Sequence, residues 1–307
     1  MELIRGRVDL PRRHRRCVVT IGTYDGLHLG HQALVARLRS HAERLAQPAV
    51  MLTFEPMPRE FLSPADPPAR LTTFRERWRI LSSAGPDYLW LLRFDEALRN
   101  LSAEGFAQLL ARRLRPSVVV VGHDFRFARK GEATAASLAA AGEHLGFAVD
   151  VVPAVEVAGE RVSSSGVRAA LACGDFARAG RWLGRPYSMR GRVIAGKRLG
   201  RDLGFPTANL ALGRRRAPVA GIFAVRVRGV AGAALPGVAS LGTRPTIGGG
   251  EALLEAHVFD FSDDLYGREI EVEFAAKLRD EQRFATLEAL TAQMQLDAAE
   301  ARRILNG

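Results

Sequence analysis

Cysteine is nearly absent: Cys17 and Cys173 are the only two in 307 residues. A pair so far apart offers neither a disulfide framework nor a thiolate metal site. No apolar run approaches the roughly 20 residues that a membrane-spanning helix needs. Residues 1–16 are basic and lack the apolar core of a secretory signal, so the expected location is cytoplasmic. Internal repeats and low-complexity linkers are missing too, which argues against solenoids and flexible tethers. Net charge is +11, from 44 basic and 33 acidic residues. The densest clusters, Arg12–Arg16 and Arg214–Arg216, are short, and no basic run interleaves with aromatics. The charge therefore reads as an arginine-rich composition with phosphate-binding pockets, and no nucleic-acid or membrane partner is expected.

What is present is two textures. Through the first 160 residues, apolar runs alternate with amphipathic stretches. Strands are predicted at Val18–Ile21, Val50–Phe54, Tyr88–Phe94, Ser117–Val121 and Ala148–Val157, and helices at His31–Ala46, Phe74–Ala84, Ser102–Leu114 and Ala133–Leu145. Thr73 with Glu76 three residues on is a capping-box pattern that opens the second helix. Continuous apolar strands alternating with helices indicate a parallel sheet covered on both faces. Its ligands bind beyond the carboxyl ends of the strands, where Gly22, Phe54 and Gly122 lie. From about Gly184, short strand-like runs separated by Gly and Pro take over, followed by an amphipathic helix at Leu287–Leu305. The expected fold is α/β: a Rossmann-like parallel-sheet domain, 1–183, then an antiparallel β-barrel domain, 184–307, with a C-terminal helix. About 120 residues suffice for the second to fold alone.

Two constellations carry chemistry. In the first, Gly22-Thr23-Tyr24-Asp25-Gly26-Leu27-His28-Leu29-Gly30-His31 joins a buried strand to a helix. Glycines let backbone approach a ligand, and N–H groups at a helix start favour anions. His28 and His31, three apart, can face one way and donate to a triphosphate. Such chemistry needs positioning and charge neutralisation more than a covalent nucleophile. The competing readings are a plain glycine-rich turn and a zinc site, for which no third ligand is near. Later, Ser163-Ser164-Ser165 precede a short helix with Arg168 in its first turn. Hydroxyls, helix start and guanidinium together suit β- and γ-phosphates, and the alternative is a serine cap beside a surface arginine.

The second constellation runs from Gly191 to Leu210. Gly196, Gly200 and Gly204 leave backbone able to wrap phosphates, and Lys197 supplies charge. Thr207 and Asn209 alternate along an extended segment, so both can point to one site, where their oxygens suit Mg²⁺ bridging phosphates. No Gly-x-x-x-x-Gly-Lys-Ser/Thr loop is present, so the common phosphate-loop fold is not implied. Glu255 shares a strand face with Leu253, His257, Phe259 and Phe261. By pattern alone it is equally a wet-patch carboxylate or a functional one.

The block from Gly22 to His31 closely resembles the signature of the bacterial bifunctional riboflavin kinase/FMN adenylyltransferase family, whose first domain is a nucleotidyltransferase. Thr53–Glu60, Gly122–Phe127 and Val162–Arg168 resemble its following blocks, and Pro206-Thr207-Ala208-Asn209 resembles the riboflavin kinase signature. Gly221–Ala224, Gly242–Thr246, Leu254–His257, Asp264–Gly267 and Leu278–Glu281 follow in the family's order. The resemblance implies that ATP and Mg²⁺ convert riboflavin to FMN, and that a second ATP converts FMN to FAD. It implies that His28 and His31 are catalytic in adenylyl transfer, with Gly22, Thr23, Asp25, Ser164, Ser165 and Arg168 binding ATP. Asp124 and Phe125 would meet the flavin there. In the kinase, Glu255 would be the base, His257 structural, and Arg279 a flavin contact. The expected partners are riboflavin, FMN and ATP, with the chain a monomer or transient homo-oligomer. Three departures stand out: Met57 where many members have His, Ser165 for the commoner Thr, and a shortened loop, Ala128–Gly131. They motivate an alternative, a single-activity riboflavin kinase. A nucleotide- or RNA-binding module is the other alternative, although neither a Lys-Met-Ser-Lys-Ser-like segment nor an anticodon-binding appendage is visible.

Overall fold

The computed structural model describes residues 1–6, 11, 14, 16–195, 204–214, 216–243 and 252–306. The chain divides into two compact units: residues 1–68 with 77–162, and residues 69–76 with 163–307.

The first unit is built on a six-stranded parallel sheet ordered β1-β4-β3-β2-β5-β8. Its strands are β1 (Glu2–Arg5), β2 (Cys17–Ile21), β3 (Ala49–Glu55), β4 (Tyr88–Arg93), β5 (Pro116–Gly122) and β8 (Ala148–Val152). Five were expected. β1 was not, because four residues inside a basic leader give no periodicity to read; it pairs with β4 from Glu2↔Tyr88 to Arg5↔Leu91. β2 is buried at every position, which is why four of its five residues are apolar; the fifth, Thr20, is buried with a hydrogen-bond partner. Cys17, Val19 and Ile21 pack into one core with Phe106, Leu110 and Leu138. Those three come from α5 (Ala103–Arg113) and α6 (Ala135–Leu145), while α1 (Leu29–Leu45) packs on β2, β3, β5 and β8. Between these lie α2 (Pro58–Leu62), α3 (Phe74–Ser83) and α4 (Glu96–Arg99). Two small hairpins complete the unit, β6 (Arg126–Phe127) with β7 (Ala133–Thr134), and β9 (Glu156–Val157) with β10 (Glu160–Arg161). The chain winds from β2 outward to β3 and β4, then returns to place β5 on the other side of β2. The order therefore reverses between β2 and β5, and a crevice opens at their carboxyl ends, where such sheets bind ligands.

The second unit is a closed barrel, β11-β12-β15-β14-β13-β16. Its strands are β11 (Ser188–Ile194), β12 (Ala208–Ala211), β13 (Gly221–Arg228), β14 (Leu235–Thr243), β15 (Ala252–Val258) and β16 (Glu269–Arg279). Burial alternates along β15, with Ala252, Leu254, Ala256 and Val258 inside, as a one-sided antiparallel strand requires. The C-terminal helix α9 (Leu287–Asn306) seats Ala301 and Leu305 against Ala224 and Phe259. Two helices before the barrel, α7 (Ser164–Ala172) and α8 (Phe176–Leu183), also group with this unit. Phe176 explains the grouping: its ring stacks on Phe274 at 5.7 Å and meets Phe223 edge-on at 5.7 Å. The change of texture read at 183/184 and the contact division at 162/163 thus fall on opposite sides of α7 and α8.

Candidate active sites

The loop from β2 to α1 is built by ring packing. His28 caps α1, and its Nδ1 accepts the His31 N–H at 3.3 Å. A neutral His28 ring therefore carries its proton on Nε2. The two imidazoles stack, with centroids 3.7 Å apart and planes 19° from parallel, so the three-residue spacing does bring them together. Tyr24 meets His31 edge-on at 5.4 Å, and its hydroxyl donates to Thr20 Oγ1 at 3.0 Å. Burial and the apolar sheet beneath push the Tyr24 phenol pKa well up, so it stays a donor. Glycine is needed at two points: a Cβ on Gly22 would lie 3.0 Å from the Tyr24 ring, and one on Gly30 3.1 Å from the His28 ring. Asp25 is buried in the same loop. Tyr24 and Leu27 take positive φ, +52° and +43°, a conformation side-chain-bearing residues seldom adopt.

The other predicted residues of the first unit follow the ends of other strands. Asp124 follows β5 and is ion-paired with Arg161. Phe125 stacks on Phe127 at 5.4 Å, so one face of its ring is already covered. Met57 is buried, and its N–H donates to Glu60 at the start of α2. The shortened loop after Phe127 is a tight turn in which Ala128 and Lys130 take positive φ.

Ser164, Ser165 and Arg168 lie in the second unit, whereas His28 and His31 lie in the first. Ser163 makes the cap of α7, accepting the Gly166 N–H at 3.1 Å. Ser164 and Ser165 form its first turn. Arg168 Nε donates to the Ala69 carbonyl at 2.6 Å.

In the barrel, register does the assembling. Asn209 on β12 lies directly opposite Glu255 on β15, and Glu255 lies opposite Ser240 on β14. Opposed residues share a face, so these three polar side chains form a row. Asn209 is buried, and its Oδ1 has no hydrogen-bond partner among the described residues. A buried oxygen left this way is costly unless a ligand completes it. A hard cation with phosphate oxygens is a chemically suitable one, so the residues present fit Mg²⁺. Among the described residues, no group of three or more His, Cys, Asp or Glu could hold a metal ion. Thr207 is half-buried just before β12, and Gly204 takes φ +82°. His257 Nδ1 bonds the Pro206 carbonyl at 2.8 Å and its ring meets Phe205 at 5.3 Å, which pins the segment that carries Thr207. Gly196, Lys197 and Gly200 lie outside the described residues. Arg279 is held bidentately by Asp297 of α9, with bonds of 2.9 and 2.7 Å, so its planar fork is engaged within the protein.

Sequence reading gave no signal for two residues that lie beside the predicted ones, one bonded to Thr23 and one opposite Glu255. Ser240 gave no signal, since a serine in an apolar strand run is unremarkable until the register is known. Arg77 on α3 reads as one of several surface arginines, yet it is fully buried against the Gly22–His28 loop.

Comparisons with known proteins identify the family. A family model described as FAD synthetase matches residues 10–166, and one described as riboflavin kinase matches residues 183–305. A bifunctional riboflavin kinase/FMN adenylyltransferase of Pseudomonas fluorescens is 46% identical, the alignment covering 99% of this chain and 98% of that one. That of Escherichia coli K12 is 43% identical over 98% and 97%. A solved structure described as a macrolide-efflux protein from Streptococcus pneumoniae superposes with a TM-score of 0.81 at 30% identity, over 97% of both chains. No helix among the described residues is long and apolar enough to cross a membrane. The chain belongs to the family of bifunctional riboflavin kinase/FMN adenylyltransferases, enzymes of flavin cofactor synthesis that join an FAD synthetase segment to a riboflavin kinase segment.

Proposed function

We propose that this chain makes FMN from riboflavin and ATP, releasing ADP, and then FAD from FMN and a second ATP, releasing pyrophosphate. The observation that carries the reading is the row of Asn209 and Glu255 in one register, with the buried Asn209 amide oxygen unbonded among the described residues. In the kinase, residues 184–307, Glu255 accepts the proton of the riboflavin 5′-hydroxyl as that oxygen attacks the γ-phosphorus of ATP. Thr207 and Asn209 would hold Mg²⁺, which would supply charge neutralisation at the phosphates. Gly196, Lys197, Gly200 and Gly204 wrap the phosphate chain, and Arg279 borders the flavin.

In the adenylyltransferase, residues 1–183, a phosphate oxygen of FMN attacks the α-phosphorus of ATP in line. His28 and His31 donate to the phosphates as charge builds on the leaving pyrophosphate. Gly22, Thr23 and Asp25 line the loop, Ser164, Ser165 and Arg168 bind the outer phosphates, and Asp124 and Phe125 meet the flavin. The enzyme acts in the cytoplasm on small molecules alone, as a monomer or transient homo-oligomer.

Incubation with riboflavin, ATP and Mg²⁺, followed by chromatography of the flavins, tests the reading. FMN followed by FAD is expected. FMN that never proceeds to FAD would favour the single-activity kinase that the buried Met57 and the tight turn after Phe127 suggest. Absence of both products overturns the proposal.

A further inference from the structure

Arg77 is a charged residue that the two sites above leave without a role. Its guanidinium is fully buried, while Arg75 and Arg79 on the same helix are exposed. Nη1 donates to the Thr23 carbonyl at 2.7 Å, and Nη2 to Glu55 Oε2 at 2.9 Å. Taking a guanidinium out of water is costly unless its bonds are good, so these partners fix where it sits. Both partners border the crevice, one in the loop after β2 and one at the end of β3.

The Thr23 carbonyl also receives the Thr53 hydroxyl at 3.4 Å. In a planar trans peptide the C=O and the next N–H point opposite ways. With the carbonyl turned to Arg77, the Tyr24 N–H is turned away from it. Tyr24 is the buried residue with φ +52°, and such a conformation persists only where its surroundings over-determine it. The Tyr24 ring in turn sets the edge of His31, and His31 stacks on His28.

We propose that Arg77 is a positioning residue for adenylyl transfer: by holding the Thr23–Tyr24 peptide it sets, through Tyr24, the orientation in which the His28–His31 pair meets the ATP phosphates. This rests on the reading that His28 and His31 act on ATP. Arg77 itself touches no substrate. Its effect is geometric, and displacement of such groups by about 1 Å costs up to about a hundredfold in rate.

The test compares Arg77→Met, Arg77→Lys and His28→Ala with the parent enzyme. FMN-to-FAD turnover is measured across ATP concentrations, and riboflavin-to-FMN turnover on the same preparations. Arg77→Met should raise the KM for ATP and lower kcat, together reducing kcat/KM about a hundredfold, with the kinase unchanged. Arg77→Lys keeps a single donor and should recover part of both parameters. Parent-like FAD kinetics in folded Arg77→Met overturns the proposal. So does a fall in kcat matched by an equal fall in the folded fraction, read by circular dichroism on the same preparation, which reports loss of folded enzyme only. Should Arg77→Met not fold, the KM of Arg77→Lys decides on the same terms. If His28→Ala keeps its FAD synthesis, the ATP-site reading fails; if it loses FAD synthesis while Arg77→Met keeps it, only the positioning role fails.

Discussion

The two units place their functional side chains by opposite means. In the first, the strands are mostly apolar, and the predicted site residues lie beyond strand ends, in a loop or, for His31, in the first turn of the helix that follows. Ring packing, two positive-φ residues and a buried guanidinium hold that loop. In the second, Asn209, Ser240 and Glu255 sit on the strands themselves, and the ladder that closes the barrel also aligns them. A loop site is set by what lies under it and a strand site by register. The first should therefore be vulnerable at residues that never touch substrate, and the second mainly at the reacting groups.

The sharpest break of this comparison is Glu255→Gln. The amide keeps size and some hydrogen bonding but cannot accept the hydroxyl proton. FMN formation should fall by about two to four orders of magnitude, the range of general-base loss. FAD formation from supplied FMN should persist, and ATP should still bind. Chromatographic turnover of riboflavin and of FMN on one preparation checks both arms. A mutant with parent-like kinase turnover would put the base elsewhere.

His28→Ala is the mirror experiment. Loss of a donor aimed at developing phosphate charge should cost about two to three orders of magnitude in FAD formation while FMN formation is spared. The imidazole also caps α1, so thermal unfolding should show a smaller loss, about 1 kcal/mol. Equal damage to both activities would mean that the two sites are not separable in the way described.

Much of this was legible in sequence because each unit has a strong period. Continuous apolar strands and alternating ones announced a parallel sheet and a barrel. The capping box at Thr73 and Glu76 was legible as well, and Thr73 does donate to the Glu76 carboxylate at 2.7 Å. The same carboxylate takes Arg214 at 2.5 Å and the Arg190 N–H at 2.8 Å, partners more than a hundred residues away. No local pattern encodes that second duty. The same limit hid Arg77, whose spacing matches its exposed neighbours, and Ser240, which matters only once β14 lies beside β15. Local chemistry was readable, and long-range partnership was not.

Glu76→Gln makes that hidden partnership measurable. It removes the carboxylate that pairs with the buried Arg214 guanidinium, and breaking a buried pair typically costs about 3–5 kcal/mol. The loss should appear in urea unfolding. A fragment of residues 184–307 lacks Glu76, Trp182 and Phe176, and it should unfold at lower urea than a fragment of residues 163–307, which keeps the two aromatic side chains. Equal midpoints for the two fragments would show that α7 and α8 add nothing to the barrel.

The smallest effect uses one cysteine from each unit. Cys17 begins β2, is fully buried, and donates its S–H to the Leu114 carbonyl at 3.2 Å. Burial disfavours the thiolate and pushes its pKa up to about 12, against the weaker opposing pull of Arg115 and Arg16. At pH 8 a group titrating there is ionised in about one part in ten thousand, and the thiolate is the reactive form. Cys173, just after α7, is exposed. A thiol reagent at pH 8 should therefore label one site rapidly, and Cys17 only as fast as the sheet opens. The linkage has a definite sign. The folded state holds the Cys17 proton more tightly than the unfolded chain, whose thiol titrates near 8.5, so its contribution to stability is complete below about pH 8.5 and declines as pH rises toward about 12. Cys17→Val removes the titration and should flatten that part of the alkaline decline, whereas Cys173→Val should not. Rapid labelling of both thiols in the folded protein would mean that the start of β2 opens readily, and that the loop site rests on a less rigid strand than its burial indicates.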